Sequence, residues 1–181
     1  MKTLLVAFQR FAGHEENPSE LVARAVNRED VESVILPVSY NKVLGLTEII
    51  KEQKPDFIIT MNLSPFRHEP AIEEYAYNEM NSVQADEDGE TRNGQKILED
   101  GPASANAVLD ISSIQQYLSS QGLSISISID PGRFVCNEAS YLARITGIPT
   151  VSLHLPLVKD FPVYEGVELI EHLIEYFEAI A

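Results

Sequence analysis

Residues 2–8, KTLLVAF, decide the fold. From Leu4 to Phe8 every side chain is apolar, whereas a strand with one face in water would alternate polar and apolar residues. A strand of this kind is covered on both faces, as in a parallel sheet flanked by helices. The residues that follow supply the cover. Pro18–Val26 reads as a short helix with Asn17 as N-cap and proline at the first helical position, where its missing N–H is not needed. Val31–Pro37 is a second strand, and Asn41–Gln53 a helix with Val43, Leu44, Leu46, Ile49 and Ile50 on its apolar side. Asp56–Met61 is a third strand. This βαβαβ rhythm predicts an α/β fold, a three-layer αβα sandwich around a mixed, largely parallel sheet, in a single domain over 1–181.

Beyond Met61 the rhythm breaks. Ile72–Tyr77 looks extended, and residues 79–101, EMNSVQADEDGETRNGQKILEDG, are polar, acidic and punctuated by glycine. They read as a long loop or irregular hairpin. This segment is expected to be the least ordered of the chain and to lie near the entrance of a site or at a subunit contact, since it can bury little apolar surface of its own. Regular structure resumes with a helix at Ala103–Leu118 and a half-buried strand at Leu123–Ile129, where Leu and Ile alternate with Ser. A helix at Arg133–Ile145, a strand at Thr150–Leu155 and an amphipathic helix at Glu165–Ile180 complete the chain.

Composition bounds what such a fold can do. With 181 residues, 44% of them hydrophobic, the chain can bury a substantial core. Thirteen Lys and Arg against 28 Asp and Glu give a net charge of −15, a field that repels phosphate backbones and anionic lipid. Nucleic acid and membrane are therefore not expected as partners. A single cysteine cannot form an internal disulfide, and no apolar run approaches the roughly 20 residues of a membrane span. A cytoplasmic location is the expectation. A homo-oligomer, dimer or tetramer, is compatible with the sequence but not specified by it.

That cysteine, Cys136, lies in GRFVCNEASYLA, residues 132–143, where extended text gives way to helix. A lone cysteine is most often a small buried hydrophobe. Near the first turn of a helix, however, unpaired N–H groups and the positive end of the dipole favour the thiolate. A nucleophile also needs a base. Of four histidines, His172 falls among Glu168, Glu171 and Glu175 on a surface helix, and His14 and His68 lie in loops without the spacing of a zinc site. His154, in TVSLHLP, sits near the C-terminal end of a strand, where α/β sheets build their sites. Acids are too abundant for a third member to be chosen by counting.

Several separated segments together resemble the pyroglutamyl peptidase I family, cysteine peptidases of the cytoplasm. AFQRFAGHEENPSE, residues 7–20, is similar to that family's GFxPFGG followed by Asn-Pro-Ser, and ILPVSY, residues 35–40, to its Leu-Pro-Val element. NLSPFRHEPAIEEYAYN, residues 62–78, resembles its Gly-Leu-x-x-Gly-Arg stretch followed by Ile-Glu-Arg-x-Ala-x-Asn. GRFVCN resembles the stretch that carries its nucleophile, and SLHLP the one that carries its base. The resemblance implies Cys136 as nucleophile, His154 as general base and then acid, and Glu73 as the group orienting the imidazole. It implies Phe8, Phe11, Asn17, Leu63 (through its main chain), Phe134 and Val135 as the substrate site. The substrate implied is a peptide with N-terminal pyroglutamate, and neither metal nor cofactor is called for. Departures stand at Ala7, Ala12, Asn62 and Phe66, where the family has glycine, at Glu74, where it has arginine, and at Asp130-Pro131 in place of small residues.

Two other readings compete. A glutamine amidotransferase would also use Cys, His and Glu, but expects a Gly-x-Cys-x-Gly elbow and a His-x-Glu. Here Val135 and Asn137 flank Cys136, and Leu155-Pro156 follows His154. A divergent homologue that binds a small molecule or partner protein without turnover draws its support from the lost glycines, since added Cβ atoms can block a ligand.

Overall fold

The computed structural model describes residues 1–181. A six-stranded sheet runs through its centre, formed by β1 (Thr3–Phe8), β2 (Val31–Leu36), β3 (Phe57–Leu63), β4 (Ala71–Glu73), β9 (Ser126–Ser128) and β10 (Thr150–Leu155), in the order β2-β1-β3-β10-β4-β9. The first four strands of that order are mutually parallel, β4 runs antiparallel to β10, and β9 pairs parallel with β4. The sheet is therefore mixed and largely parallel.

KTLLVAF behaves as its composition demands. All six residues of β1 are buried, and they alternate between two cores. Leu5 and Ala7 join a cluster with α1 (Pro18–Ala25), α4 (Ile111–Ser120) and α6 (Val163–Ile180), while Leu4, Val6 and Phe8 join one with α2 (Tyr40–Val43), α3 (Leu46–Gln53) and α5 (Val135–Arg144). Two helical layers thus enclose one sheet. α1 and α6 approach so closely that a Cβ at Gly166 would overlap the Val22 side chain.

Local signals explain most boundaries. Asn17 caps α1 by accepting from the Ser19 N–H, with Pro18 at N1. The helix expected over Asn41–Gln53 is two helices, α2 and α3, interrupted at Leu44-Gly45; the second ends on Lys54 in the left-handed conformation. The extended segment Ile72–Tyr77 bends at Glu74. β4 stays in the main sheet, while β5 (Tyr75–Tyr77) leaves it to pair antiparallel with β8 (Ser104–Asn106). That pairing corrects the helix expected over Ala103–Leu118. Residues 104–106 are a strand, and α4 begins only at Ile111, where Asp110 accepts from the Ser112 and Ser113 N–H groups.

Residues 79–101 form the irregular hairpin that was one reading of their polar text, with β6 (Met80–Ser82) antiparallel to β7 (Arg92–Gln95). Its anchors are polar. Asp86 is buried and accepts from the Tyr40, Asp88 and Glu90 N–H groups, and the Glu87 N–H donates to the Val38 carbonyl. Order here comes from a neighbouring helix start, as a segment poor in apolar residues requires.

Candidate active site

Three elements bring Cys136, His154 and Glu73 together, although 18 and 63 residues separate them in sequence. β10 presents Leu153 to one core and turns His154 to the opposite face, toward α5. Glu73 ends β4, the strand paired with β10 on that side. α5 starts at Val135, so Cys136 occupies its first turn, with Phe134 as an N-cap that makes no side-chain cap. Cys136 Sγ lies 3.6 Å from His154 Nε2, and His154 Nδ1 donates to Glu73 Oε1 at 2.6 Å. The ring is 7% exposed and the carboxylate 1%, so this chain of contacts is shielded from water.

Burial alone pushes the imidazole toward its neutral form. Its hydrogen bonds to Cys136 and Glu73 outweigh that, and the pKa is raised to about 9. Burial likewise works against the Glu73 charge, but the hydrogen bond and charge of His154, with help from Ser128 and Arg67, hold it below the ordinary carboxylate range. Arg67 Nη2 stands 3.7 Å from Glu73 Oε1. The site therefore favours a charged imidazole held against the Glu73 carboxylate, with the Cys136 sulfur on its other nitrogen.

Asn137 fixes the helix start. It is fully buried, accepts from the Tyr77 N–H at 2.8 Å, and donates to the carbonyls of Tyr77 and Glu79 at 2.9 and 3.1 Å. Deeper in α5, the Ser140 hydroxyl meets that of Thr60 on β3 at 3.1 Å. The position of Cys136 is thus set by polar contacts on two sides.

Cys136 opens onto a cavity of about 320 Å³ whose walls include Phe8, Phe11, Asn17, Leu63 and Phe134. Phe8 and Leu63 come from the C-terminal ends of β1 and β3, and the Phe11 and Phe134 rings meet with centroids 5.7 Å apart. The Asn17 side chain is committed to the fold: Nδ2 donates to the Gln9 carbonyl while Oδ1 takes the Ser19 N–H and hydroxyl. Val135, expected as a wall, is not one. Successive helical residues point about 100° apart, and with Phe134 and Cys136 turned to the cavity, Val135 turns fully into the core beside α2 and α3.

The sequence did not single out His14, Val38, Pro65 or Gln84, which also line the cavity. His14 and Gln84 come from segments read as loops, where pattern carries no direction. The departures from glycine fall in separate places. Ala7 is buried in the core on the far side of the sheet. Ala12 and Asn62 line the cavity, Ala12 in the left-handed conformation with φ of 56°. Phe66 lies at the rim, 92% exposed, and leaves the cavity open. Asp130 makes a turn ahead of Cys136, accepting from the Gly132 N–H and the Arg133 guanidinium. Of the other histidines, His172 pairs with Glu175 on α6 and His68 is exposed beside Asp160.

A thiol, an imidazole and a carboxylate in line beside an apolar cavity on an αβα sandwich define a cysteine hydrolase site. The pyroglutamyl peptidase family model matches residues 1–155, and the chain belongs to that family. It is 32% identical over 171 residues to a pyrrolidone-carboxylate peptidase of Saccharolobus islandicus, covering 89% of this chain and 82% of the relative. A pyrrolidone-carboxylate peptidase of Thermococcus litoralis is 28% identical over 171 residues, with 88% and 78% covered. The solved structure of pyrrolidone carboxyl peptidase from Thermococcus litoralis superimposes with a TM-score of 0.88 at 25% identity, over 99% of this chain and 96% of that one. No helix is long and apolar enough to cross a membrane.

Proposed function

We propose that this chain is a cysteine peptidase that removes N-terminal pyroglutamate from peptides, with Cys136 as nucleophile, His154 as acid and base, and Glu73 orienting the imidazole. The observation that carries the reading is the line Cys136–His154–Glu73, at 3.6 and 2.6 Å, opening onto an apolar cavity. The thiolate attacks the carbonyl carbon that joins pyroglutamate to the next residue, and the developing oxyanion takes hydrogen bonds from backbone N–H groups. A helix leaves its first four N–H groups without intrahelical partners. The Glu138 N–H makes the first regular helical bond to the Phe134 carbonyl and the Asn137 N–H turns back to the same oxygen, so the N–H groups of Phe134, Val135 and Cys136 are the oxyanion donors beside the thiol. The His154 imidazolium then gives its proton to the leaving nitrogen as the C–N bond breaks. Water, relieved of a proton by the neutral ring, attacks the thioester, and the thiolate leaves with the proton returned to His154.

The cavity's chemistry supports the substrate. Pyroglutamate is a neutral lactam without an α-ammonium, and none of the 13 lining residues is Asp or Glu. An ordinary aminopeptidase needs an anion for the substrate's ammonium; here Phe8, Phe11 and Phe134 offer apolar faces to a ring instead. The neighbouring main chain at Leu63 can bond the lactam amide. The test is a pair of fluorogenic amides, one carrying pyroglutamate and one carrying glutamine with a free amine. Turnover of the first alone is expected. Turnover of the second, or of neither, would overturn the reading.

A further inference from the structure

Helix α5 carries a second functional group at its other end. Arg144 sits in the last turn, 4% exposed, with no carboxylate paired to it. Its guanidinium is spent on main-chain oxygens: Nη2 donates to the Glu73 carbonyl at 2.5 Å, and Nη1 to those of Glu74 and Ala105 at 2.8 and 3.1 Å, while Nε has no partner. Burial lowers the Arg144 pKa to about 10, with the Glu73 charge opposing the fall, so the group remains a cation at neutral pH. Burying an unpaired guanidinium is unfavourable unless its donors are satisfied. The three carbonyls it meets lie where the chain leaves the main sheet, at the bend between β4 and β5, and on the strand β8 that pairs with β5.

We propose that Arg144 is a positioning residue of the Cys136–His154–Glu73 site: it clamps the Glu73 backbone so that the carboxylate stays on His154 Nδ1. Cys136 and Arg144 are eight residues apart on one helix, about 12 Å along its axis. One rigid element therefore sets both ends of the site, presenting the thiol to one imidazole nitrogen and fixing the strand that supplies the group on the other. Glu73 Oε1 bonds His154 with Arg67 Nη2 3.7 Å away, while Oε2 has no hydrogen-bond partner, so the side chain is held at one oxygen only and the backbone clamp adds a second point of attachment.

The inference rests on the peptidase reading for its rate consequences, but its primary readout is independent of substrate. The rate of Cys136 alkylation by iodoacetamide is measured against pH in the wild type, Arg144→Lys and Arg144→Met, each with and without Glu73→Gln, alongside turnover of the pyroglutamyl amide and thermal melting. Loss of the clamp should slow alkylation near pH 6 by about tenfold, because the imidazolium that pairs with the thiolate is less stabilised, and should lower kcat with little change in KM. In the Glu73→Gln background the same substitutions should slow alkylation less than about twofold, since the group they act through is already altered. Equal slowing in both backgrounds would overturn the proposal. So would an unchanged alkylation profile with only a lower melting temperature. If Arg144→Met does not fold, Arg144→Lys carries the same comparison, because a lysine cannot span three carbonyls. A wild type that alkylates readily but does not cleave the amide would defeat the substrate reading and leave the role of Arg144 measurable.

Discussion

At the scale of single residues, the charge on His154 makes the most direct forecast. The imidazole pKa is raised to about 9 from an ordinary 6.5 by its partners Cys136 and Glu73, against the effect of burial. A raised value in the folded state means the charged ring stabilises the protein fully below pH 6.5, and this contribution is lost as pH climbs through about 9. Glu73 behaves in the opposite sense: its lowered pKa adds stability above the ordinary 4.5, which is lost as pH falls through the folded value. Melting temperature followed against pH should therefore decline on the alkaline side between pH 6.5 and 9, and His154→Ala should lessen that decline, leaving the part below pH 8 that buried Glu138 contributes. The alkaline limb of kcat/KM should fall near pH 9, where the ring loses the proton owed to the leaving amine. An alkaline limb centred near pH 6.5 would show that the ring is not held as a cation.

Elements carry their own costs, and two are visible around α5 and the loop after β1. Glu138, two residues beyond Cys136, is 1% exposed with neither carboxylate oxygen bonded. Burial, opposed by Arg92 and reinforced by Asp86, raises its pKa to about 8, so folding near neutral pH requires it to take up a proton. By the same linkage, its cost grows as pH rises from 4.5 toward 8. Glu138→Met, which keeps the volume, should stabilise the protein by on the order of 2 kcal/mol at pH 7 and by much less at pH 4. Equal gains at both pH values in denaturant melts would refute the linkage. Ala12 holds a left-handed backbone on the cavity wall with a Cβ that disfavours it. Ala12→Gly should relieve about 1 kcal/mol and raise the melting temperature. A loss of stability would show that the alanine methyl packs usefully there.

The elements also show how far the sequence could be read. β1 was legible because burial on both faces removes polar residues from a strand, and α1 because Asn17 and Pro18 mark its start. The segment 103–107 was misread because Ala and Ser suit a helix, while the forces that make it a strand, pairing with Tyr75–Tyr77 and the Arg144 bonds, come from distant residues. The same holds for Arg144, since an arginine in a helix's last turn ordinarily reads as solvated. Cys136 and His154 could be nominated from a helix start and a strand end. Glu73 could not, among 28 acids, and it came only from the resemblance.

On the scale of the whole molecule, catalysis depends on topology. β10 and β4 must pair antiparallel, and α5 must lie across the same face, before three residues from distant segments form one line. The rival reading of a binding protein without turnover requires that line to be idle, yet the departures at Phe66 and Ala7 leave the cavity open and Cys136 on its wall. Acyl transfer through Cys136 is thus the central claim, and trapping the intermediate tests it most directly. The protein is mixed with a pyroglutamyl amide, quenched in acid within the first turnovers, and its intact mass and Cys136 peptide are measured. A mass increase of one pyroglutamyl group on Cys136, absent in Cys136→Ala and persistent in a His154→Ala sample acylated with an activated ester, is the predicted result. Cleavage of the amide by Cys136→Ala at the wild-type rate, or an acyl group found on any other residue, would contradict it.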